Sequence, residues 1–376
     1  MEELARESIR SISLLSRPAR GSDVPRLGSF GAIFIMLKSA LGAGLLNFPW
    51  AFQKAGGKTI VTLKMSLLTL INLVGLVILG YASSISRQKT YHDVVREVCG
   101  QRIGHLCEIC FVFNLFMISV AFLVVVQDQL DKLTGNTEGE MPYHWYSDHR
   151  FALFVMCLFI ILPLSVPKEI GIQKYTSVLG TLAATYLSVA VIAKYYLKDD
   201  HTADLTPELD SWASMFSVVP TICFGFQCHE ACITIYSSME NKKITHWVFI
   251  SVTSMIFCLI IYTLTGVFGF LTFGRQVASD ILMSYPGNDV VMIILPTCTH
   301  CVHTLMLILT QILRFWERRA IITSVFESRC RLILTILWIT VTLLIAIYIP
   351  DMSEVISVIG GISAFFIFIF PGETLN

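Results

Sequence analysis

The sequence predicts an all-α, polytopic membrane protein, and three observations predict it. Of 376 residues, 55% are hydrophobic and 14% charged, with a mean hydropathy of +0.69. Soluble domains carry about 25% charged residues. The apolar residues gather into stretches of about 20, the length a helix needs to cross about 30 Å of hydrocarbon. The stretches are continuous, not alternating, so a transmembrane barrel is excluded and the backbone must satisfy its polar groups within helices.

Residues 1–28 are polar and rich in Arg and Ser. They lack the apolar run of a secretory signal, and Glu2, Glu3, Glu7 and Asp23 argue against a mitochondrial presequence. A disordered cytosolic tail is expected. Ten candidate spans follow, near 30–52, 60–82, 106–130, 151–167, 175–197, 212–237, 246–273, 289–313, 332–350 and 354–371. With the N-terminus in the cytoplasm, the inside segments hold eighteen Lys and Arg and the outside segments six. That bias follows the positive-inside rule. Lys+Arg and Asp+Glu balance at 27 each, so the charge gives no sign of a nucleic-acid partner and none is expected; the lipid bilayer is the expected surrounding. The cysteines lie almost entirely within apolar runs, which argues against a disulfide scaffold.

Two spans are interrupted. The first reads Ser39-Ala-Leu-Gly42-Ala43-Gly44-Leu-Leu-Asn47-Phe-Pro49, and the sixth reads Pro220-Thr-Ile-Cys-Phe224-Gly225-Phe226-Gln227-Cys-His229-Glu230. Glycine adds backbone freedom and proline removes a hydrogen-bond donor, so both helices can unwind there. The interruptions are five spans apart, as two five-span halves of a transporter would place them. Free N–H groups at a half-helix start can hold a carboxylate, and freed carbonyls can hold a cation. The plain alternative is close helix packing through small residues.

Leu41-Gly-Ala-Gly-Leu-Leu-Asn-Phe-Pro-Trp50, with Ala55-Gly-Gly57, resembles the first span of the sodium-coupled neutral amino acid transporters, in the amino acid/auxin permease group. Gly75-Leu-Val-Ile-Leu-Gly-Tyr81, Pro220–Glu230, Gly269-Phe-Leu-Thr-Phe-Gly274 and Ile356-Ser-Val-Ile-Gly-Gly-Ile362 are similar to the same family. The resemblance implies a leucine-transporter-like fold, a 5+5 inverted repeat with helices 1 and 6 broken. It makes residues 29–371 an amino acid transporter domain that takes up glutamine, alanine and similar neutral amino acids with sodium. Two departures accompany it. The family continues through an eleventh span, so residues 372–376 read as an atypical, truncated C-terminus. Residues 295–330 depart from the family's eighth span, where hydroxyl residues help bind sodium.

The expected substrate site comprises Gly42, Ala43, Gly44, Asn47, Asn114, Phe224, Gly225, Phe226 and Gln227. For Asn47 and Asn114 a helix–helix hydrogen bond is the alternative, and for the two phenylalanines plain packing. Lys38, Leu41 and Thr304 are the expected cation site or its substitute. Many family members carry Asn where this chain has Lys38, so a fixed ammonium would stand in for sodium or repel it; otherwise Lys38 snorkels to the interface. His229 and Glu230 are candidates for pH sensing, against a satisfied interhelical contact. Cys298, His300, Cys301 and His303 have a spacing that metal ligands can show. Altered coding or splicing of a segment that departs from its relatives explains them better, with simple replacement by tolerated small polar residues as a further reading, and no metal or cofactor is expected beyond the co-transported sodium.

The expected function is thus secondary active amino acid transport, in the plasma membrane or, alternatively, the lysosomal membrane. The amino acid and either sodium or a proton are its partners. A sensor that keeps the transporter fold, or a weakly active truncated isoform, is the alternative. Enzyme, channel and ATP-driven signatures such as His-Glu-x-x-His, Gly-x-Ser-x-Gly, a selectivity-filter repeat and Walker A are absent.

Overall fold

The computed structural model describes residues 27–42, 44–55, 58–135, 149–161, 171–198, 216, 218–286, 289, 292, 324–349 and 352–373. Apart from one bridge between Leu27 and Met239, their regular structure is helical. The chain is a polytopic membrane protein. Among the described residues, five helical stretches are long and apolar enough to cross a bilayer: Lys64–Ser86, Gln101–Lys132, Val178–Leu197, Ile244–Gln276 and Met352–Gly372. Their outward faces carry exposed Leu67, Leu70, Leu182, Val189, Ile260 and Ile369. A helix apolar on every side is expected where lipid replaces water.

The helices in order are α1 (Ser29–Ala40), α2 (Gly44–Lys54), α3 (Lys58–Ser86), α4 (Tyr91–Cys99), α5 (Gln101–Gly135), α6 (His149–Met156) and α7 (Gly171–Leu197). There follow α8 (Val219–Gly225), α9 (His229–Ser238), α10 (Ile244–Phe273), α11 (Ile281–Ser284), α12 (Ser324–Tyr348), α13 (Met352–Ala364) and α14 (Phe370–Glu373). α1 and α2 are bent by 55° relative to one another and together make a sixth candidate span. Hydroxyls inside the apolar helices donate to the carbonyl one turn back, as Thr69 does to Met65 and Ser119 to Leu115. This satisfies them without water.

Glycines set the packing around the centre. α10 lies against α1, α2, α3 and α7. A Cβ on Gly266 would stand 2.5 Å from the Phe52 ring, and one on Gly269 would stand 2.6 Å from Pro49. A Cβ on Gly80 would meet the Trp247 indole at 2.4 Å, and the indole Nε1 donates to the Leu76 carbonyl at 3.0 Å. α13 crosses the start of α8 so closely that a Cβ on Gly360 would lie 2.2 Å from the Pro220 carbonyl oxygen. Small residues let helices approach where no hydrophobic effect drives them together.

Candidate functional site

The α1–α2 junction begins where the Leu41 amide donates to the Leu37 carbonyl at 2.7 Å. Regular α-helix resumes at Gly44, with the Leu45 amide donating to the Gly42 carbonyl at 3.1 Å. Pro49 sits inside α2 and brings no amide proton. α8 accommodates Pro220 in its first turn, where a missing N–H costs nothing. α8 ends at Gly225, the Phe226 and Gln227 amides close its last turns, and α9 starts at His229.

The two junctions touch. A Cβ on Gly44 would stand 2.9 Å from the Gly225 Cα, and one on Gly225 would stand 2.6 Å from the Phe48 ring. Around this contact, Phe48 and Tyr262 stack at 4.3 Å, while Phe226 meets Tyr262 edge-on at 4.9 Å and Phe48 at 6.3 Å. All three rings are buried.

Asn47 is committed to protein on both sides of its amide. Its Nδ2 donates to the Ser279 carbonyl at 2.7 Å, and its Oδ1 accepts from the Thr221 hydroxyl at 3.1 Å. Asn114 of α5 donates to the Glu230 carboxylate at 2.7 Å, and its buried Oδ1 has no protein partner. Gln227 accepts from the Ser363 hydroxyl of α13, while its Nε2 is buried without a partner. His229 bonds through Nε2 to the Asn72 carbonyl of α3 at 3.0 Å, and its Nδ1 has no partner. The Asn72 side-chain amide, also buried, has none on either atom. Unsatisfied buried polar atoms cost about 1–3 kcal/mol each, and several of them lie close to the α8–α9 junction.

Lys38 lies in the last turn of α1 and is 9% exposed. Leu41 is the buried residue that caps the same helix. A cation near a helix C-terminus is favoured by the aligned peptide dipoles. Ala43, Thr304 and the Cys298–His303 cluster lie outside the described residues. Gly42, Gly44, Asn47, Phe224, Gly225 and Phe226 therefore gather at or beside the touching junctions. Gln227 points to α13, and the Asn114–Glu230 pair joins α5 to α9. Thr221, Tyr262, Ser363 and Asn72 complete the surroundings and are not among the residues the sequence singles out. Each had one signal available: a polar group in an apolar helix must find a partner.

A second polar cluster lies beyond the α10 end. Lys132 donates to the Leu282 and Tyr285 carbonyls, capping α11 from outside. Asp280 is buried and accepts from the Leu282 amide at 2.8 Å. Burial pushes its carboxyl up to about 7, opposed by that amide and by the Lys132 ammonium.

A bundle of apolar helices with helix ends meeting at a buried, partly unsatisfied polar centre defines a membrane solute-carrier type of protein. The chain belongs to the family described as transmembrane amino acid transporter protein, which its residues 26–374 match. It is a transporter and not an enzyme. It is 57% identical over 397 aligned positions to the Xenopus tropicalis protein named "Putative sodium-coupled neutral amino acid transporter 8", covering 100% of this chain and 89% of that one. It is 50% identical to human solute carrier family 38 member 8, over 97% of this chain and 88% of that one. It is 44% identical to zebrafish (Danio rerio) sodium-coupled neutral amino acid transporter 7, over 96% of this chain and 81% of that one.

Proposed function

We propose that the chain is a secondary active transporter of neutral amino acids, glutamine and alanine among them, coupled to sodium and working by alternating access. The observation that carries this reading is the contact of the α1–α2 and α8–α9 junctions at Gly44 and Gly225, in a chain whose relatives are named for sodium-coupled neutral amino acid transport. On this reading the two junctions are the breaks of spans 1 and 6 in a 5+5 inverted repeat. The amides that open α2 hold the substrate carboxylate, as a helix N-terminus does for anions generally. Phe224, Gly225, Phe226 and Gln227 face it. Lys38, with the Leu41 carbonyl and Thr304, forms the cation site or replaces it. His229 and Glu230 give the pH response, with Asn114 holding the carboxylate. The N-terminus lies in the cytoplasm, in the plasma membrane or else the lysosomal membrane.

Uptake of radiolabelled glutamine and alanine into proteoliposomes, with and without a sodium gradient, tests the proposal. Saturable, sodium-stimulated flux is the expected result. Saturable binding without flux would assign the chain to amino acid sensing instead, and neither binding nor flux would overturn the substrate class.

A further inference from the structure

Tyr262 stands in the middle of α10, fully buried at 0% exposure. Its hydroxyl lies 2.7 Å from the carbonyl oxygen of Ala40 and 2.6 Å from that of Gly225. Ala40 is the last residue of α1, and Gly225 is the last residue of α8. Carbonyls in the last turn of a helix have no partner within that helix, and in a water-free interior each unsatisfied one costs several kcal/mol. One side chain on a third helix therefore reaches the exposed carbonyl ends of both junctions.

A phenolic hydroxyl has a single proton to donate. Both oxygen–oxygen distances are those of good O–H···O bonds, yet at any instant the proton can serve only one carbonyl. The ring is held independently of the hydroxyl, stacked on Phe48 of α2 and edge-on to Phe226 beside Gly225. The aromatic contacts fix where the oxygen sits, and the O–H alone chooses between the two junctions. A displacement that parts the junctions keeps one bond and gives up the other at no cost in orphaned hydroxyl groups.

We propose that Tyr262 is the positioning residue that couples the two helix junctions, its O–H turning between the Ala40 and Gly225 carbonyls as the junctions move relative to one another. This deepens the transporter reading, since it rests on the junctions being the moving parts. The residue acts through the backbone of α1 and α8 and needs no contact with substrate.

The full chain carrying Tyr262→Phe tests it, because phenylalanine keeps the ring contacts and removes only the donor. Two native cysteines report on the junction: Cys223 in α8 and Cys228 at the start of α9, both buried. Cys107 of α5 is buried too and serves as the reference. In reconstituted protein, labelling by a membrane-permeant maleimide, read at each cysteine by peptide mass spectrometry, should rise about fivefold or more at Cys223 and Cys228 and stay unchanged at Cys107. Maximal amino acid uptake should fall about tenfold with the thermal midpoint close to that of the unmutated chain. Unchanged labelling at all three cysteines would overturn the proposal. So would an equal rise at all three, which is the mark of general loosening. Should the unmutated protein show no uptake, the transporter reading fails, while the labelling comparison still decides whether Tyr262 ties the junctions.

Discussion

The two junctions are built from the same interruption of helix and offer different chemistry. Around α1–α2 the described residues are Leu41, Gly42, Gly44 and Leu45, which bring no polar side chain, so the polar groups they offer are backbone. Around α8–α9 the backbone turns at Phe226–Cys228, and Gln227, His229 and Glu230 follow at once, each bonded to a different helix: α13, α3 and α5. One junction presents main-chain groups at a fixed, glycine-dependent distance. The other presents side chains, among which Gln227 Nε2 and His229 Nδ1 are buried without a partner. At Gly44 the main-chain site has no room for an added atom, whereas a side-chain site tolerates changes that preserve its hydrogen bonds. Substitutions can therefore tell them apart.

The largest effect is expected at the backbone junction. Gly44→Val adds a branched side chain where even a Cβ would lie 2.9 Å from the Gly225 Cα. Because the obstacle is backbone and not the end of a flexible side chain, the junctions must separate. Uptake should fall by a factor of about 100 or more while the protein still inserts and reaches the membrane. Normal substrate affinity in this variant would break the comparison at its first term.

At the side-chain junction the outcome should depend on chemistry rather than bulk. Glu230→Ala removes the acceptor of the Asn114 amide, and stranding that buried donor costs about 1–3 kcal/mol. Uptake should drop roughly tenfold. Glu230→Gln keeps an oxygen for Asn114 and should retain uptake to within about threefold. Equal losses in the two variants would mean that the carboxylate itself, and not the hydrogen bond, carries the site.

Lys38 should sharpen the comparison further, since it places a charge beside the backbone junction. An ammonium and a sodium ion ~4 Å apart repel by about 4 kcal/mol at an effective dielectric of 20. Lys38→Asn should increase the sodium stimulation of uptake, measured as sodium curves at two pH values. Superimposable curves for both forms would leave Lys38 with no part in coupling.

The smallest effect is expected away from both junctions, at Asp280. Its carboxyl is raised to about 7 by burial. The folded protein therefore holds this proton through a pH range in which an unfolded chain, with an aspartate near 3.9, has lost it. Stability from this group falls as pH rises from about 4, and the buried group itself ionises around 7. The groups facing it are the Leu282 amide and Lys132, which itself feels Asp128 and Asp289. Between pH 6 and pH 8 the change is about 1 kcal/mol, with one pKa unit equal to 1.36 kcal/mol. The thermal midpoint of the purified protein should drop by roughly 2 °C over that range, and Asp280→Asn should remove that part of the slope. A slope unaltered in Asp280→Asn would place the titration elsewhere.

Much was legible before any coordinate. Long apolar runs with few charges can only be membrane helices, because hydrocarbon leaves the backbone no other partner. Glycine and proline inside such runs are local signals, read from a few neighbouring residues, and Gly42, Gly44 and Gly225 all lie at or near the helix ends that meet. The motif glycines at 80, 269 and 360 carried the family resemblance without revealing their reason, which is the Trp247 ring, Pro49 and the Pro220 carbonyl pressed against them.

What the tertiary structure alone decided are the partners. Tyr262 reads as one more aromatic residue in an apolar run, and its acceptor Ala40 is 222 residues away. Ser363 meets Gln227 across 136 residues, Glu230 meets Asn114 across 116, and Asn47 reaches both Thr221 and Ser279. Periodicity and propensity act over one or two helical turns, so they fix which residues are buried and where a helix must stop. Which buried polar group finds which other depends on how whole helices cross, and that is settled by packing summed over the entire bundle.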